Sequence, residues 1–352
     1  MRKVRPNLER PVHLEAKEVS MTTRYSSAVA AVLVALFGVA CSEPTLPIAP
    51  SAAVGSDRVL GLGSGNQTLL VDDDGVDCPN ADYNTIQGAV DAASANMTIL
   101  VCAGTYNERV VVSGAAKDGL RLLARGAPDT VLLDGNNPSP PAVFPFNHAF
   151  HLLNVSGVLV EGFTVREYFE NIKMTGGGGN TIRQNRTTAA GHDGIFASNS
   201  ANNLIEHNVS FDNLSANACG INIAGAGSVD NLVRHNQLAN NNWGIRIQGG
   251  ATNTVAFGNE SRGNRSHGIQ NIGAATNGTT IENNQTESNP VGIGINLSSG
   301  VTVARNRAFQ NATFDLQSIG AGVNNTFVNN HCATSAPAGL CAHSEGNSKN
   351  AP

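Results

Sequence analysis

From Asn180 to Cys332 the polar and apolar positions of the chain repeat one short pattern. A Gly-Ile step opens each unit, a polar run follows, then Thr or Asn beside an aliphatic residue, then Asn, and a second Asn five places on. The first Asn falls at Asn185, Asn208, Asn236, Asn259, Asn284, Asn306 and Asn330, with steps of 23, 28, 23, 25, 22 and 24 residues. The second falls at Asn213, Asn241, Asn264, Asn289 and Asn311, with Ala190 in its place in the first unit. A period near two dozen residues marks a solenoid. Inside each unit the alternation is that of strands, as in Ile221-Asn222-Ile223, Ile245-Arg246-Ile247 and Ile293-Gly294-Ile295, and no unit has room for a helical stripe. The pattern predicts an all-β, single-stranded parallel β-helix of about ten coils, each about 4.8 Å above the last. The inward column reads Ile182, Ile205, Val233, Val255, Ile281, Val303 and Phe327. The repeated Asn is expected to occupy a left-handed corner and to bond to its equivalent one coil above.

This repeat resembles that of the pectate-lyase-like superfamily, in its short, degenerate parallel β-helix subgroup, over about Leu69 to Cys341. The resemblance implies a right-handed helix, as does the general rule for parallel crossovers. The superfamily holds lyases, hydrolases, esterases, epimerases and non-enzymes, so the likeness implies a fold before an activity. Upstream, Thr85 to Ala95 places Ile86, Ala89, Val90 and Ala93 at helical spacing behind a Thr85 N-cap. A parallel β-helix leaves an open strand edge at its end, and this segment is the expected N-terminal capping helix. With the following Thr98-Ile99-Leu100-Val101-Cys102 and Gly104-Thr105-Tyr106-Asn107-Glu108, it is similar to the entrance of pectin-esterase-like β-helices.

The first 40 residues change the picture of where the protein works. Ala28 to Ala40 is an uncharged run of thirteen residues that ends in Gly38-Val39-Ala40-Cys41, too short to span a membrane and suited to a secretory signal. It resembles a bacterial lipoprotein signal, which implies lipidation of Cys41 and an outer-membrane or cell-surface protein; plain secretion or a periplasmic protein is the alternative. Met21 is a possible true start. Residues 41–67 are a Pro/Gly-rich tether, 68–342 the solenoid and 343–352 a frayed tail. Export also fits the cysteines: Cys78 with Cys102 and Cys332 with Cys341 are expected to close two loops, leaving Cys219 as a buried thiol. Removing residues 1–40, with six Lys/Arg and three Asp/Glu, leaves 16 basic against 24 acidic residues, a net of −8. That balance excludes a nucleic-acid partner, because binding the phosphate backbone needs a basic surface. The expected partner is a polysaccharide or another cell-envelope component, met by a monomer whose only membrane contact is the lipid.

Candidate chemistry follows from columns, since equivalent positions on successive coils become neighbours. The column after the inward aliphatic reads Arg183, Glu206, Arg234, Ala256, Glu282 and Ala304. It is either an ion-pair ladder or a guanidinium row for sugar carboxylates. One place on, His207 and His235 are adjacent, a pair that lacks a third ligand for a transition metal. The copper-insertion accessory proteins of nitrous-oxide reductase share this repeat, which keeps copper handling open. A third column after the Gly-Ile step reads Phe196, Asn222, Arg246 and Gln270; Trp243 begins the same strand, in the place of Asp193, Cys219, His267 and Val291. Trp243 is either a corner residue or a platform for a sugar ring.

Asp72-Asp73-Asp74-Gly75 reads as an exposed turn, with calcium as the cation such a run would hold. The proline-rich stretch Asn136 to Asn147 is expected to wall a groove, and Thr175 to Gly179 to be a flexible turn. His192-Asp193-Gly194 lacks the partner motifs of polygalacturonase-type hydrolases. Two functions stay open: a non-catalytic binder of polysaccharide, and a polysaccharide lyase or epimerase using Arg234, Arg246, His207 or His235. Metal handling, of copper or calcium, is a third.

Overall fold

The computed structural model describes residues 67–127, 129–137, 147–320 and 322–342, all in the compact unit Pro50–Pro352. The signal segment, Cys41 and its tether, the tail, and residues 138–146 of the proline-rich stretch lie outside the described residues.

Nine coils each contribute a strand to each of three parallel sheets, which count eleven, nine and ten strands with the incomplete end coils. One coil, for example, gives Leu204–Glu206 to the eleven-stranded sheet, Val209–Phe211 to the nine-stranded sheet and Cys219–Ala224 to the ten-stranded sheet. The inward column is as expected except at one coil. Val233 pairs with Ala256, and Ala256 with Ile281, so Ala256 is the buried residue and Val255 faces outward beside Leu232. The next column therefore contains Phe257 where the period had placed Ala256. The slip is of one residue, and in a strand one residue exchanges the two faces.

Asparagine ladders fix the corners. The Asn236 side-chain oxygen accepts from the Asn208 backbone N–H at 2.9 Å and from its amide at 3.0 Å; the Asn236 amide donates to Ile205 O and to Asn259 Oδ1. The second ladder repeats this through Asn213, Asn241, Asn264, Asn289 and Asn311. A third, Asn180–Asn203–Asn231, escaped the sequence reading. The left-handed corner belongs to the residue before the ladder Asn: Gln184, His207, His235, Asn283 and Arg305 have φ between 53° and 55°. The Asn itself points inward, because its amide is the only group there able to satisfy backbone atoms of two coils.

The Gly of the Gly-Ile step also has a physical cause. A Cβ on Gly244 would lie 2.0 Å from Ser261 Oγ, so the backbone passes too close to the next coil for any side chain. Thr175–Gly179 is a packed corner rather than a flexible turn, since Gly178 bridges to Ser156 and Ala201 on both neighbouring coils.

At the first coils a helix, Ile86–Ala92, is shorter than expected. Thr85 caps it by accepting from Gly88 N, and Ile86, Ala89 and Val90 are buried. Gln87 pairs its amide with both backbone groups of Val111, on the first strand of the ten-stranded sheet. Cys78–Cys102 and Cys332–Cys341 are disulfides, and Cys219 is a buried free thiol.

Candidate functional site

The outward face of the ten-stranded sheet carries two files of functional side chains. The first descends His148, Glu170, Asp193, Cys219, Trp243, His267, each in register with the next. The second descends His151, Lys173, Phe196, Asn222, Arg246, Gln270. Two residues separate the files, and the second of them, such as Phe150, Ile172, Ile195, Ile221 or Ile245, anchors the strand in the core. The files stand three residues apart, and the residue after the first file falls outside the ladder register on each strand, so a local break in the alternation brings both files to the outer face.

The upper part of the face is a buried, charge-paired cluster. Glu170 Oε2 lies 3.0 Å from His148 Nδ1 and pairs with the Lys173 ammonium at 2.9 Å. Burial alone would raise the Glu170 carboxyl, but His148 and Lys173 outweigh it and hold it below the usual range. Asp193 is fully buried; it accepts from the Cys219 N–H at 2.9 Å and the Asn222 amide at 2.9 Å, and pairs with His192 Nδ1 at 2.7 Å. For His192 burial opposes the charged ring, yet Asp193 and then Glu170 prevail and its pKa is raised. The His192 ring stacks on Phe169 at 5.3 Å, and Lys173 lies over Phe196 at 5.3 Å. His151 is pushed down to about 4, first by burial and then by the charges of His148 and Lys173.

The lower part is different. The Arg246 guanidinium lies 4.3 Å from the Trp243 ring centroid. It makes no ion pair among the described residues, and Arg246 Nε and Trp243 Nε1 are buried without hydrogen-bond partners. His267, one coil on, is driven to about 4 by burial and by the Arg246 charge. An unpaired cation pressed on an indole and opening between Asn222 and Gln270 can take a carboxylate through its planar fork.

The other expected residues occupy a different surface. Arg183, Glu206 and Arg234 share one column of the eleven-stranded sheet, but Arg183 is paired with Glu161 at 2.8 Å and Arg234 with Glu206 at 2.7 Å. Glu282 is paired with Arg305. His207 and His235 do lie together, their rings stacked with centroids 5.3 Å apart, and Phe257 meets His235 edge-on. Of the carboxylates, Glu206 Oε2 is 3.8 Å from His207 Nδ1 and already serves Arg234.

Sequence reasoning placed Trp243, Arg246, Phe196, Asn222 and Gln270 together, and missed His148, His151, Glu170 and Lys173. The signal was there: one coil upstream of Asp193 is Glu170 (193 − 170 = 23), and one more is His148 (170 − 148 = 22). Those coils lack the ladder Asn that made the later ones visible.

A family model described as periplasmic copper-binding protein (NosD) matches residues 150–336, more than half of the chain. The chain belongs to the NosD family. This NosD-family β-helix is also similar in structure to an alginate lyase from Paenibacillus sp. str. FPU-7, with a TM-score of 0.52 and 14% identity over 72% of this chain and 93% of the lyase. It is similar to the pectate lyase Pel9A, with a TM-score of 0.54 and 14% identity over 80% and 83% of the two chains. A third likeness is to the periplasmic alginate epimerase AlgG, at 0.52 and 17% identity over 67% of this chain and 61% of the epimerase. At such identities the likeness shows the shared parallel β-helix. No protein of curated function matches the sequence. The family and the two disulfides together place the solenoid outside the cytoplasm.

Proposed function

We propose that this protein is a non-catalytic, extracytoplasmic binder of carboxylate-bearing polysaccharide, tethered through Cys41, and that the chain lies along the outward face of the ten-stranded sheet with Arg246 as its carboxylate contact. The observation that carries this reading is Arg246 stacked on Trp243 without an ion pair among the described residues, whereas Arg183, Arg234 and Arg305 beside the eleven-stranded sheet are each paired with a glutamate. Arg246 is partly buried, and its buried Nε has no hydrogen-bond partner, an arrangement that an incoming anion would satisfy. Trp243 holds the guanidinium flat, and one coil on Gln270 keeps an Oε1 without a hydrogen-bond partner. Calorimetry with oligouronates, neutral mannans and peptidoglycan fragments tests the proposal. Binding of the uronates alone, lost in Arg246→Ala, supports it, and equal binding of neutral glycans overturns it.

A second reading, lyase or epimerase, draws on the Glu170–Lys173–His148 and Asp193–His192 cluster, where three basic side chains lie beside two buried carboxylates. Against it, the Glu170 carboxylate is held ionised by its partners, and His151 is too weak a base at neutral pH. Ultraviolet absorbance from unsaturated uronates separates the two readings.

Copper, which the family description names, fits the described residues poorly. The group Glu170, His192, Asp193 offers one nitrogen and two carboxylates, and Lys173 Nζ stands 2.9 Å from Glu170 where a cation would have to sit. Copper favours imidazole and sulfur ligands. The stacked His207 and His235 supply two nitrogens and no third free ligand among the described residues.

A further inference from the structure

The turn after the first strand, Thr68–Val71, is exposed from Asp73 to Asp77, as its sequence implied, but Asp72 at its base is not. Asp72 is 2% exposed. Its Oδ2 accepts from the Cys78 N–H at 2.6 Å, while its Oδ1 is buried and has no hydrogen-bond partner. Asp72, Asp74 and Asp77 each bring a carboxylate oxygen within 4.8 Å of the other two. None of the three forms an ion pair among the described residues. Three like charges at that separation repel, and a buried carboxylate oxygen without a donor adds a desolvation penalty.

We infer that Asp72, Asp74 and Asp77 form a calcium site that locks the first coil of the solenoid. The donor set is all oxygen, which selects a hard cation over copper or zinc. Calcium accepts six to eight oxygens in irregular geometry and completes its shell with carbonyls and water, whereas magnesium demands a tighter octahedron. The site is preformed because its surroundings are tied down. Asp73 accepts from Thr105 N on the next coil at 2.9 Å, the Cys78–Cys102 disulfide closes the loop from the other side, and Asp74 accepts from Val76 N at 2.8 Å. The open side is a cleft bordered by Asp73, Asp82 and Tyr83. The ion replaces mutual repulsion with shared coordination, and it joins the strand Thr68–Val71 to the loop that leads into the helix.

The test uses the exported protein stripped with EGTA and titrated with calcium chloride. Calcium raises the melting midpoint by about 2–6 °C at saturation, and binds with a dissociation constant on the order of 10⁻⁵–10⁻³ M. Terbium bound in the same place is sensitised by Tyr83. Asp74→Asn and Asp77→Asn, both at exposed positions, weaken calcium at least tenfold and remove the terbium signal, while Asp91→Asn on the helix leaves both unchanged. Asp72→Asn is read by terbium as well as by melting, so that a folding defect is separable from a lost ligand. Absence of any calcium-dependent shift up to about 10 mM, well above the range of extracellular calcium sites, overturns the inference. So does an undiminished shift in the Asp74→Asn/Asp77→Asn double variant.

Discussion

Arg246 lies over the ring of Trp243 at 4.3 Å and has no carboxylate to neutralise it among the described residues. If the proposed role is right, Arg246→Ala weakens uronate binding by about tenfold to a hundredfold, the range for a charge-assisted hydrogen bond. Arg246→Lys recovers little of it, because a point charge replaces the planar fork. Isothermal calorimetry reads the loss and circular dichroism shows that the fold persists. Arg246 contributes no inward packing, so stability should change little.

Asn236→Ala removes the acceptor for Asn208 N and its amide, and the donor to Ile205 O, inside a 0% exposed corner. Stranding several buried polar groups at once costs about 3–5 kcal/mol. The exposed Asn217→Ala should stay within about 0.5 kcal/mol of wild type. Urea denaturation measures both. Because a solenoid is stabilised coil by coil, a central defect of this size should also broaden the transition. A loss under about 1 kcal/mol would show that the ladder is dispensable, since even one typical hydrogen bond is worth about that much.

Acid and base should act oppositely on the histidines of the ten-stranded sheet. His151 and His267 have folded pKa values of about 4, below the ordinary imidazole value, so they stay neutral in the fold while the unfolded chain takes up protons. Their contribution is therefore lost as pH falls from about 6.5 towards 4. His192 is shifted upward, so its contribution is full below about 6.5 and is lost as pH rises through its folded value. Melting midpoints across pH should show a flatter acid limb in His151→Gln and His267→Gln, and a flatter rise-side decline in His192→Gln. Identical pH profiles for all four proteins would contradict these assignments.

Much of this architecture is legible without coordinates, and the reason is geometric. A coil of fixed length turns sequence distance into contact, so Ile205 and Val233 are neighbours because they share a place in the repeat. Columns from Asp193 onward were readable for the same cause. Two things were hidden. Where a coil carries an inward Ala, as at Ala256, hydrophobicity favours the bulkier Val255, and only the pairing with Ile281 settles the register. Upstream of Asn180 the ladders thin out, so the coil carrying Glu170 and Lys173 had no Asn to number it by. The functional face was thus half visible, with its aromatic and guanidinium end in view and its acidic end out of register. Side-chain pairing was legible least. That Arg234 is taken by Glu206 while Arg246 is free depends on which face each strand residue occupies.

Cys219 offers a direct check on that face. The thiol is fully buried in the file between Asp193 and Trp243, and its pKa is raised well above the ordinary value by burial first and by the Asp193 charge next. Alkylation requires a thiolate within reach of the reagent, and this site supplies neither. Iodoacetamide at neutral pH should leave Cys219 unlabelled in the folded protein and label it fully in about 6 M guanidinium, enough to unfold even a hyperstable protein. Asp193→Asn removes the repelling charge and keeps the shape, but its amide cannot accept on both sides as the carboxylate does. Labelling in that variant should therefore become measurable, and faster as pH rises. If the native protein labels at the rate of a free thiol, Cys219 is exposed, the outward file is not packed as described, and the placement of Asp193 beside it fails as well.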